Sequence, residues 1–269
     1  MNRFILTDCL EFIDFINYNP ENPFLIYFNN GFYNLQTNRF IKVNTSKIEE
    51  KIDYNYKNVK TDDPSMLEVK QYMREVFPER EERNKVWRML TTFLTGKIHT
   101  NQKGTIYYWI GDGPNSKTIF SQLVMKSLST YACIIPFRNP SKDLFNSRYK
   151  RLFTISESDN NDRINIQALR EYTTNDTLTI RSLYSRTSYQ IRLKNHVAVI
   201  TNDPSRGHPR NNRYNQPEKK IHFHSTFVNN PDPNNPYQFQ TDPNISSKLD
   251  IWKEVFMYLM IKKYDKIYN

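Results

Sequence analysis

Apolar and polar residues recur along the chain with two different periods, which separate predicted strands from predicted helices. Near the beginning, Phe24–Phe28 and Phe32–Leu35 flank an Asn-Gly turn, which is a strong hairpin signal, and Arg39–Val43 predicts a further short strand. Beyond residue 104, short apolar runs alternate with stretches of helical period. This alternation is typical of an α/β protein with a parallel sheet.

Helices are predicted where apolar residues recur every three to four positions. Asp63 and Pro64 combine a capping residue with a proline at the first turn, and Pro78 ends the helix that they begin. A second helix is expected from Glu79 to Leu94, and a last one from Ile251 to Tyr264. The predicted organisation is therefore an N-terminal hairpin and helical region at 1–97, a core at 98–228, and a C-terminal connection and helix at 229–269.

The remaining apolar runs predict strands of the core. They are Ile106–Ile110, Tyr131–Pro136, Arg151–Ile155, Val197–Ile200 and Ile221–Phe227. Ile164–Tyr172 is of helical type, and Thr179–Leu193 suits a hairpin, because basic, aromatic and aliphatic residues alternate there.

The turn after Ile110 carries a phosphate-binding pattern, Gly111-Asp-Gly-Pro-Asn-Ser-Lys-Thr118, placed between a strand and an amphipathic helix. In such a loop the backbone N–H groups cradle phosphate, the lysine neutralises it, and the threonine hydroxyl ligates Mg²⁺. Ser116 stands where glycine is usual, at a cost of roughly 1 kcal/mol, and more if its φ is positive. An ordinary strand-to-helix turn is the alternative interpretation.

Two further strands end in groups that could complete a site for a nucleoside triphosphate. Arg151–Ile155 leads to Glu157, and Val197–Ile200 leads to Asn202. The carboxyl ends of parallel strands meet at one edge of a sheet, so we expect both side chains near Lys117. A carboxylate can hold Mg²⁺ or polarise water, and an amide can orient that water. Taken singly, Glu157 would be a surface acid and Asn202 a turn residue.

The composition adds a charge signal. The 269 residues include 38 Lys and Arg against 28 Asp and Glu, a net charge of +10 that favours a polyanionic partner such as nucleic acid. Solubility alone is the other explanation. The 2 cysteines form neither a disulfide framework nor a zinc pattern, and His222 and His224 without a third ligand suit a structural role. The chain shows no secretory signal and no bilayer-spanning run, so we expect a soluble, intracellular protein.

In their order and spacing these motifs resemble the helicase domain of superfamily III, poxvirus-type primase–helicases of large DNA viruses. The resemblance runs from about Pro23 to Tyr264, and Asn115 matches the hallmark of the superfamily III phosphate loop. The matching segments are Phe28–Leu35, Val76–Pro78, Arg88–Lys97, Gly111–Thr118, Phe153–Glu157, Asp162–Asn165, Leu169–Asp176, Ile180–Tyr184, Thr201–Asn202, Phe223–Val228 and Pro231–Pro236.

The resemblance implies an AAA+-like P-loop NTPase core with a mainly parallel sheet, preceded by a small α+β N-terminal region. It implies ATP and Mg²⁺ as cofactors, hexameric rings around single-stranded DNA, and primase or other replication proteins as partners, in the host cytoplasm or at a viral replication site. The implied nucleotide-binding residues are Gly111, Gly113, Asn115, Ser116, Lys117 and Thr118. The implied catalytic residues are Lys117, Glu157, Asn202 and Arg213, with Thr118 and Glu157 at the metal.

In this family a hairpin before the sensor strand projects into the central channel. On this chain it would run from about Tyr184 to Arg192, with Tyr184, Arg186, Tyr189 and Arg192 contacting DNA through its backbone and by stacking. A solvated surface hairpin is the alternative for Arg186.

The chain departs from the family at two places that bear on turnover. Ser116 replaces the loop glycine, and Gln216–Lys220 stands where a paired arginine is usual, which leaves Arg210 or Arg213 as the arginine that would reach a neighbouring site. The first hypothesis is an ATP-dependent DNA helicase. A degenerate paralogue that binds DNA or protein without turnover is the second, and an ATPase that packages or remodels nucleic acid is the third.

Overall fold

The structure is a computed structural model that describes residues 22–96, 105–135, 149–156, 173, 177–181, 188–193, 195–202 and 219–269. The helical segment predicted at Ile164–Tyr172 lies outside these residues.

A small antiparallel sheet opens the described fold. Its strands are β1 (Leu25–Phe28), β2 (Gly31–Asn34) and β3 (Arg39–Ile41), in that spatial order. Gly31 sits at the turn with φ 148°, where an added Cβ would collide with the carbonyl oxygen of Ile41. The predicted hairpin is confirmed, and glycine is required at its turn for steric reasons.

Two helices follow, α1 (Pro64–Val76) and α2 (Arg80–Thr92). A carboxylate oxygen of Asp63 accepts a hydrogen bond of 2.9 Å from the backbone N–H of Ser65, and Pro64 occupies the first turn. The capping prediction is therefore confirmed, because a backbone donor left over at the start of the helix is satisfied by the expected side chain.

The central part of the fold is a five-stranded sheet. In chain order the next elements are β4 (Ile106–Ile110), α3 (Lys117–Leu128), β5 (Ala132–Ile134), β6 (Leu152–Ser156), β7 (Thr177–Arg181), β8 (Ser188–Arg192), β9 (His196–Thr201) and β10 (Lys220–His222). The sheet has the order β10-β4-β9-β6-β5, and every neighbouring pair is parallel. Strands β7 and β8 form a separate antiparallel pair, as predicted for a hairpin.

The C-terminal region differs from the prediction in two respects. The expected strand Ile221–Phe227 is wrong: the chain leaves the sheet after β10, and β11 (Thr226–Val228) pairs in parallel with β12 (Gln238–Gln240) instead. The Ser225 hydroxyl donates to the carbonyl oxygen of Glu75 at 2.6 Å and holds the chain at this departure. Helix α4 (Ile245–Tyr268) begins before the predicted Ile251.

Alternating residues of β4 face two hydrophobic clusters. Tyr107 and Trp109 belong to the larger one, which also contains residues of the N-terminal sheet, α1, α2, α3 and α4. Ile106, Tyr108 and Ile110 belong to the smaller one, on the opposite face of the sheet. This alternation is the period of a strand covered on both sides.

The predicted α/β class, with a parallel sheet and a small N-terminal α+β region, is confirmed. The proposed division into three segments stays a prediction. Among the described helices, none is both long enough and apolar enough to cross a bilayer.

Candidate nucleotide-binding site

The strands predicted to carry the site are neighbours in the sheet. Strand β9 lies between β4 and β6, with Ile110 opposite Thr201 and Ser156 opposite Ile200. The backbone N–H of Gly111 then donates to the carbonyl oxygen of Thr201 at 3.4 Å. The glycine turn and the segment after β9 therefore start side by side at the carboxyl edge, the place where parallel sheets bind ligands.

Lys117, the first residue of α3, lies at the centre of this edge. Its side chain is buried against the loop, with the residue 7% exposed. The Nζ atom donates to the carbonyl oxygen of Gly111 at 2.5 Å, to that of Thr201 at 3.2 Å and to Oδ1 of Asn202 at 2.5 Å. The structure thus brings Lys117 and Asn202 into contact, as their strand ends predicted, and holds the ammonium group with hydrogen-bond acceptors.

Asn115 organises the loop from within. It is 2% exposed, its Nδ2 donates to the carbonyl oxygen of Asp112 at 3.2 Å, and its Oδ1 accepts from the backbone N–H of Lys117 at 3.3 Å. A Cβ on Gly111 would overlap Nδ2 of Asn115 and would lie 2.9 Å from both Cβ and the carbonyl oxygen of Phe223. Glycine at 111 and asparagine at 115 are therefore packed as a pair.

Replacing Gly111 with alanine is expected to destabilise the protein by about 1–3 kcal/mol, because the new methyl group must displace a buried amide and the Phe223 backbone. Urea unfolding followed by circular dichroism measures this change. Gly113→Ala is the matched control: no atom of the described residues lies within 4 Å of its added Cβ, but its φ of 75° gives a strain of about 1 kcal/mol. Equal stability of Gly111→Ala and wild type would contradict the packing argument.

Ser116 adopts the backbone conformation that makes serine costly there. Its φ is 61° and its ψ 8°, in the left-handed region, directly before α3. Its Oγ lies 3.0 Å from the hydroxyl oxygen of Tyr72 on α1, within hydrogen-bond distance. Burial raises the pKa of Tyr72, so this hydroxyl stays neutral. The side chain that strains the loop also fastens it to α1.

Ser116→Gly and Ser116→Ala separate these two effects. Both remove the bond to Tyr72, but only alanine keeps a Cβ at positive φ. Ser116→Ala should therefore be less stable than Ser116→Gly by roughly 1 kcal/mol. Thermal unfolding of both variants, with Tyr72→Phe to remove the same bond from the other side, provides the comparison. Equal stability of the two variants would show that the backbone at 116 relaxes.

A cleft of about 480 Å³ opens beside the loop, and we call it the nucleotide cleft after the ligand that the loop pattern predicts. The phosphate-loop side is formed by Gly113 to Ile119 and by Asn202. The opposite wall was missed by the sequence interpretation, and it consists of Phe227, Thr241, Asp242 and Ile245. It is fastened to the loop, since the backbone N–H of Phe227 donates to the carbonyl oxygen of Pro114 at 2.9 Å. The missed sequence signal is Asp242-Pro-Asn244, a typical helix start.

Asp242 gives this wall a fixed charge. Its carboxylate lies 2.8 Å from Nζ of Lys248 and accepts a 2.9 Å hydrogen bond from the backbone N–H of Asn244. The hydrogen bond from Lys248, followed by that from Asn244, lowers the pKa of Asp242. The carboxylate therefore stays ionised at neutral pH and is committed to the start of α4.

The residue types of the loop fit a phosphate chain with its metal. The backbone at the start of α3 has N–H groups without partners inside the helix, Lys117 supplies a positive charge, and Thr118 carries an exposed hydroxyl that lines the cleft. In the described ranges, no three His, Cys, Asp or Glu side chains are grouped to hold a metal on their own. The rings of His222 and His224 stack on each other, with their centroids 5.6 Å apart.

Several predicted site residues cannot be placed at the cleft. Glu157 follows the last residue of β6, but it lies outside the described residues, as do Arg213, Tyr184 and Arg186. Tyr189 and Arg192 lie on β8, opposite Ile180 and Thr177 of β7. The two strands of the predicted hairpin are therefore observed. The DNA-binding and catalytic roles of the residues named here stay predictions.

No family model matches the chain. The chain is 24% identical over 292 aligned positions to the "Putative helicase L207/L206" of Acanthamoeba polyphaga mimivirus, covering 97% of the chain and 29% of that protein. It is 29% identical over 198 positions to the "Putative helicase 022R" of Frog virus 3 (isolate Goorha), covering 66% of the chain and 20% of that protein. The chain therefore spans less than a third of either viral relative.

Solved structures show the same fold. An apo structure of the NrS-1 C-terminal region matches with a TM-score of 0.52 and 15% identity, covering 92% of this chain and 56% of that one. A second apo structure, of NrS-1 residues 305–718, matches with a TM-score of 0.52 and 13% identity, covering 90% and 68%. The chain is a divergent relative of proteins named as helicases in large DNA viruses, and it shares the fold of the NrS-1 C-terminal region.

Proposed function

We propose that this chain is the motor domain of an ATP- and Mg²⁺-dependent DNA helicase of the superfamily III type. The contact of Lys117 with Asn202, where the phosphate loop borders the cleft, carries the proposal. The names of the viral relatives support the class of activity, and the net charge of +10 supports a nucleic-acid partner. Action in viral or mobile-element replication, in the host cytoplasm or at a viral replication site, belongs to the same proposal.

The roles proposed for Lys117, Thr118 and Asn202 rest on their positions around the cleft, and those proposed for Glu157 and Arg213 rest on the family resemblance. Lys117 and the N–H groups at the start of α3 would hold the phosphates, and Thr118 would present its hydroxyl to the metal. Asn202 would orient a water molecule, since its amide is fixed beside Lys117. Glu157, one residue beyond β6, would accept a proton from that water, and Arg213 would act on a neighbouring subunit's site. Bound Mg²⁺ would supply charge neutralisation for the phosphates.

The coupling to DNA is proposed for the hairpin of β7 and β8. Its tip, with Tyr184 and Arg186, would follow the backbone of a single strand inside a hexameric ring, and Tyr189 and Arg192 would support it. Such contacts read no sequence, which suits a motor that must pass along any DNA. Primase or other replication proteins would be its partners.

A second function is favoured by one observation. Ser116 keeps a positive φ that glycine usually supplies, and its side chain is tied to Tyr72, so the loop carries backbone strain and a side chain that a glycine-containing phosphate loop lacks. A degenerate paralogue that binds DNA or protein as a structural or regulatory subunit would retain such a loop without turnover.

ATP hydrolysis with and without single-stranded DNA, together with strand separation on a forked duplex, tests the proposal. DNA-stimulated hydrolysis with strand separation is the expected result. Hydrolysis without separation would instead identify an ATPase that packages or remodels nucleic acid. DNA binding with no hydrolysis would identify the degenerate paralogue and overturn the motor function. Native mass spectrometry with a non-hydrolysable ATP analogue tests the hexamer separately.

A further inference from the structure

A second cleft, of about 540 Å³, lies on the helical side of the molecule between α1, α2 and α4, and we call it the basic cleft. Helix α1 contributes Lys70 and Arg74, and α4 contributes Lys263 and Lys266. Residues three or four apart share one face of a helix, so each helix presents two cations to the cleft. None of these residues belongs to the nucleotide cleft.

Helix α2 contributes three arginines, Arg80, Arg83 and Arg88. Arg83 is fixed by its own backbone neighbours, because Nη1 donates to the carbonyl oxygens of Phe77 at 2.5 Å and Pro78 at 2.9 Å. Arg80 and Arg88 are eight positions apart, which is about 12 Å along a helix. The positive charge therefore forms a row rather than a point, and a row fits an extended polyanion better than a single small anion.

These cations face each other without compensation. Across the described part of the chain, none of the seven lies within ion-pair distance of a carboxylate. Burial and then the charges of Lys266, Arg83 and Lys70 lower the pKa of Lys263, and burial with Arg74 and Arg80 lowers that of Arg83. Like charges held this close destabilise the fold, and bound phosphate groups would reverse that effect.

The apolar floor of the cleft limits how a nucleic acid could be read. Trp87 is buried, packs on Phe256 at 5.5 Å, and has the ammonium group of Lys263 5.7 Å from its ring centroid. With the residue only 7% exposed, the ring offers little free face to a base. What remains accessible is the row of charged groups, which binds phosphates irrespective of sequence.

We propose that the basic cleft binds the sugar-phosphate backbone of a nucleic-acid strand, at a site separate from the nucleotide cleft and from the β7–β8 hairpin. At the duplex rise of about 3.4 Å per phosphate on one strand, the row of about 12 Å spans three to four phosphates. That the basic cleft binds phosphate groups is inferred from the charges of its lining residues. That these phosphates belong to a nucleic acid rests on the proposed function.

The test is the salt dependence of binding to a fluorescein-labelled oligothymidylate, measured by fluorescence anisotropy without ATP. The variant Arg74→Glu/Arg88→Glu/Lys266→Glu changes exposed residues of all three helices. At about 0.7 per phosphate contact on a single strand, the loss of three contacts should make the negative slope of log K against log salt shallower by about 2. Between about 50 and 200 mM salt, the wild type should then lose roughly twentyfold more affinity than the variant.

The control variant is Arg39→Glu/Lys47→Glu/Lys60→Glu, which makes the same change of net charge at exposed positions of the N-terminal region. It should keep the wild-type slope. An unchanged slope in the basic-cleft variant, or an equal fall in the control, would overturn the proposal. A third result would also overturn it: inorganic tripolyphosphate stabilises the wild type but not the basic-cleft variant, while both proteins bind the oligonucleotide with the same affinity. ATP hydrolysis without DNA is measured in parallel. This measurement distinguishes failure of the proposed motor function from failure of the proposed binding at the basic cleft.

Discussion

Replacing Lys117 with alanine should lower the rate of DNA-stimulated ATP hydrolysis by about a hundredfold or more. The ammonium group lies at the start of α3, between the carbonyl oxygen of Gly111 and the amide of Asn202, where phosphate charge would be neutralised. Loss of one preorganised charged donor from a site of this kind typically costs 10²–10³ in turnover, roughly 3–4 kcal/mol. Steady-state release of phosphate, with saturating single-stranded DNA, measures the effect.

The matched control is Lys126→Ala, on the same helix. Lys126 is exposed, pairs with Asp250 at 2.7 Å on the surface, and is absent from the cleft. Its removal should change neither hydrolysis nor stability appreciably, because surface pairs contribute about 0–1 kcal/mol. Both variants need a thermal unfolding curve, since Lys117→Ala also leaves the carbonyl oxygen of Thr201 without this donor. A folded Lys117→Ala protein that hydrolyses ATP at the wild-type rate would rule out the enzyme.

The largest effect on stability is expected at Arg151. Its Nη1 donates to the carbonyl oxygen of Leu94 and its Nη2 to that of Leu25, while the guanidinium carbon lies 4.3 Å from the ring centroid of Tyr131. The residue is 6% exposed, and burial lowers its pKa. One side chain thus joins the start of β6 to the N-terminal sheet and to the segment after α2.

Arg151→Ala should destabilise the protein by about 3–5 kcal/mol, because two buried carbonyl groups lose a charged donor and the packing on Tyr131 is lost. The midpoint of thermal unfolding should fall by roughly 10 °C. Differential scanning calorimetry measures both quantities. Arg151→Lys should recover only part of the loss, since a lysine cannot reach both carbonyl groups as the planar guanidinium does. Arg39→Ala, at an exposed position, is the control. If the unfolding midpoint of Arg151→Ala falls as little as that of Arg39→Ala, the structural role assigned to Arg151 is contradicted.

Much of the fold is predictable from local sequence signals. The hairpin at Gly31 and the cap at Asp63 depend on side chains within a few residues, so the sequence alone predicts them. The meeting of Lys117 with Asn202 was predictable for a different reason. Each follows a buried strand, and parallel strands place their carboxyl ends together whatever their distance along the chain.

The features that the sequence did not predict depend on contacts between segments that are distant along the chain. The apolar residues from Ile221 to Phe227 predict one strand, but two short strands form instead. Between them the Ser225 hydroxyl bonds to Glu75, 150 positions away. The partner of Ser116 is Tyr72, 44 positions earlier, so the tie between loop and α1 has no local signature. Arg151 would be expected at the surface on composition alone, because a buried arginine is rare unless its donors are satisfied.

The basic cleft is a similar case. Its cations come from α1, α2 and α4, and in the sequence they look like ordinary solvated positions of three amphipathic helices. Only the packing of α4 against both earlier helices places them on one surface.

Helix α4 has a mechanical consequence. Its first residue, Ile245, lines the nucleotide cleft, and Lys266 near its other end lines the basic cleft. With 24 residues it is a rod of about 36 Å, so a tilt of one degree about the first end displaces the other by about 0.6 Å. Because this one helix lines both clefts, a change in its orientation would alter the two linings together.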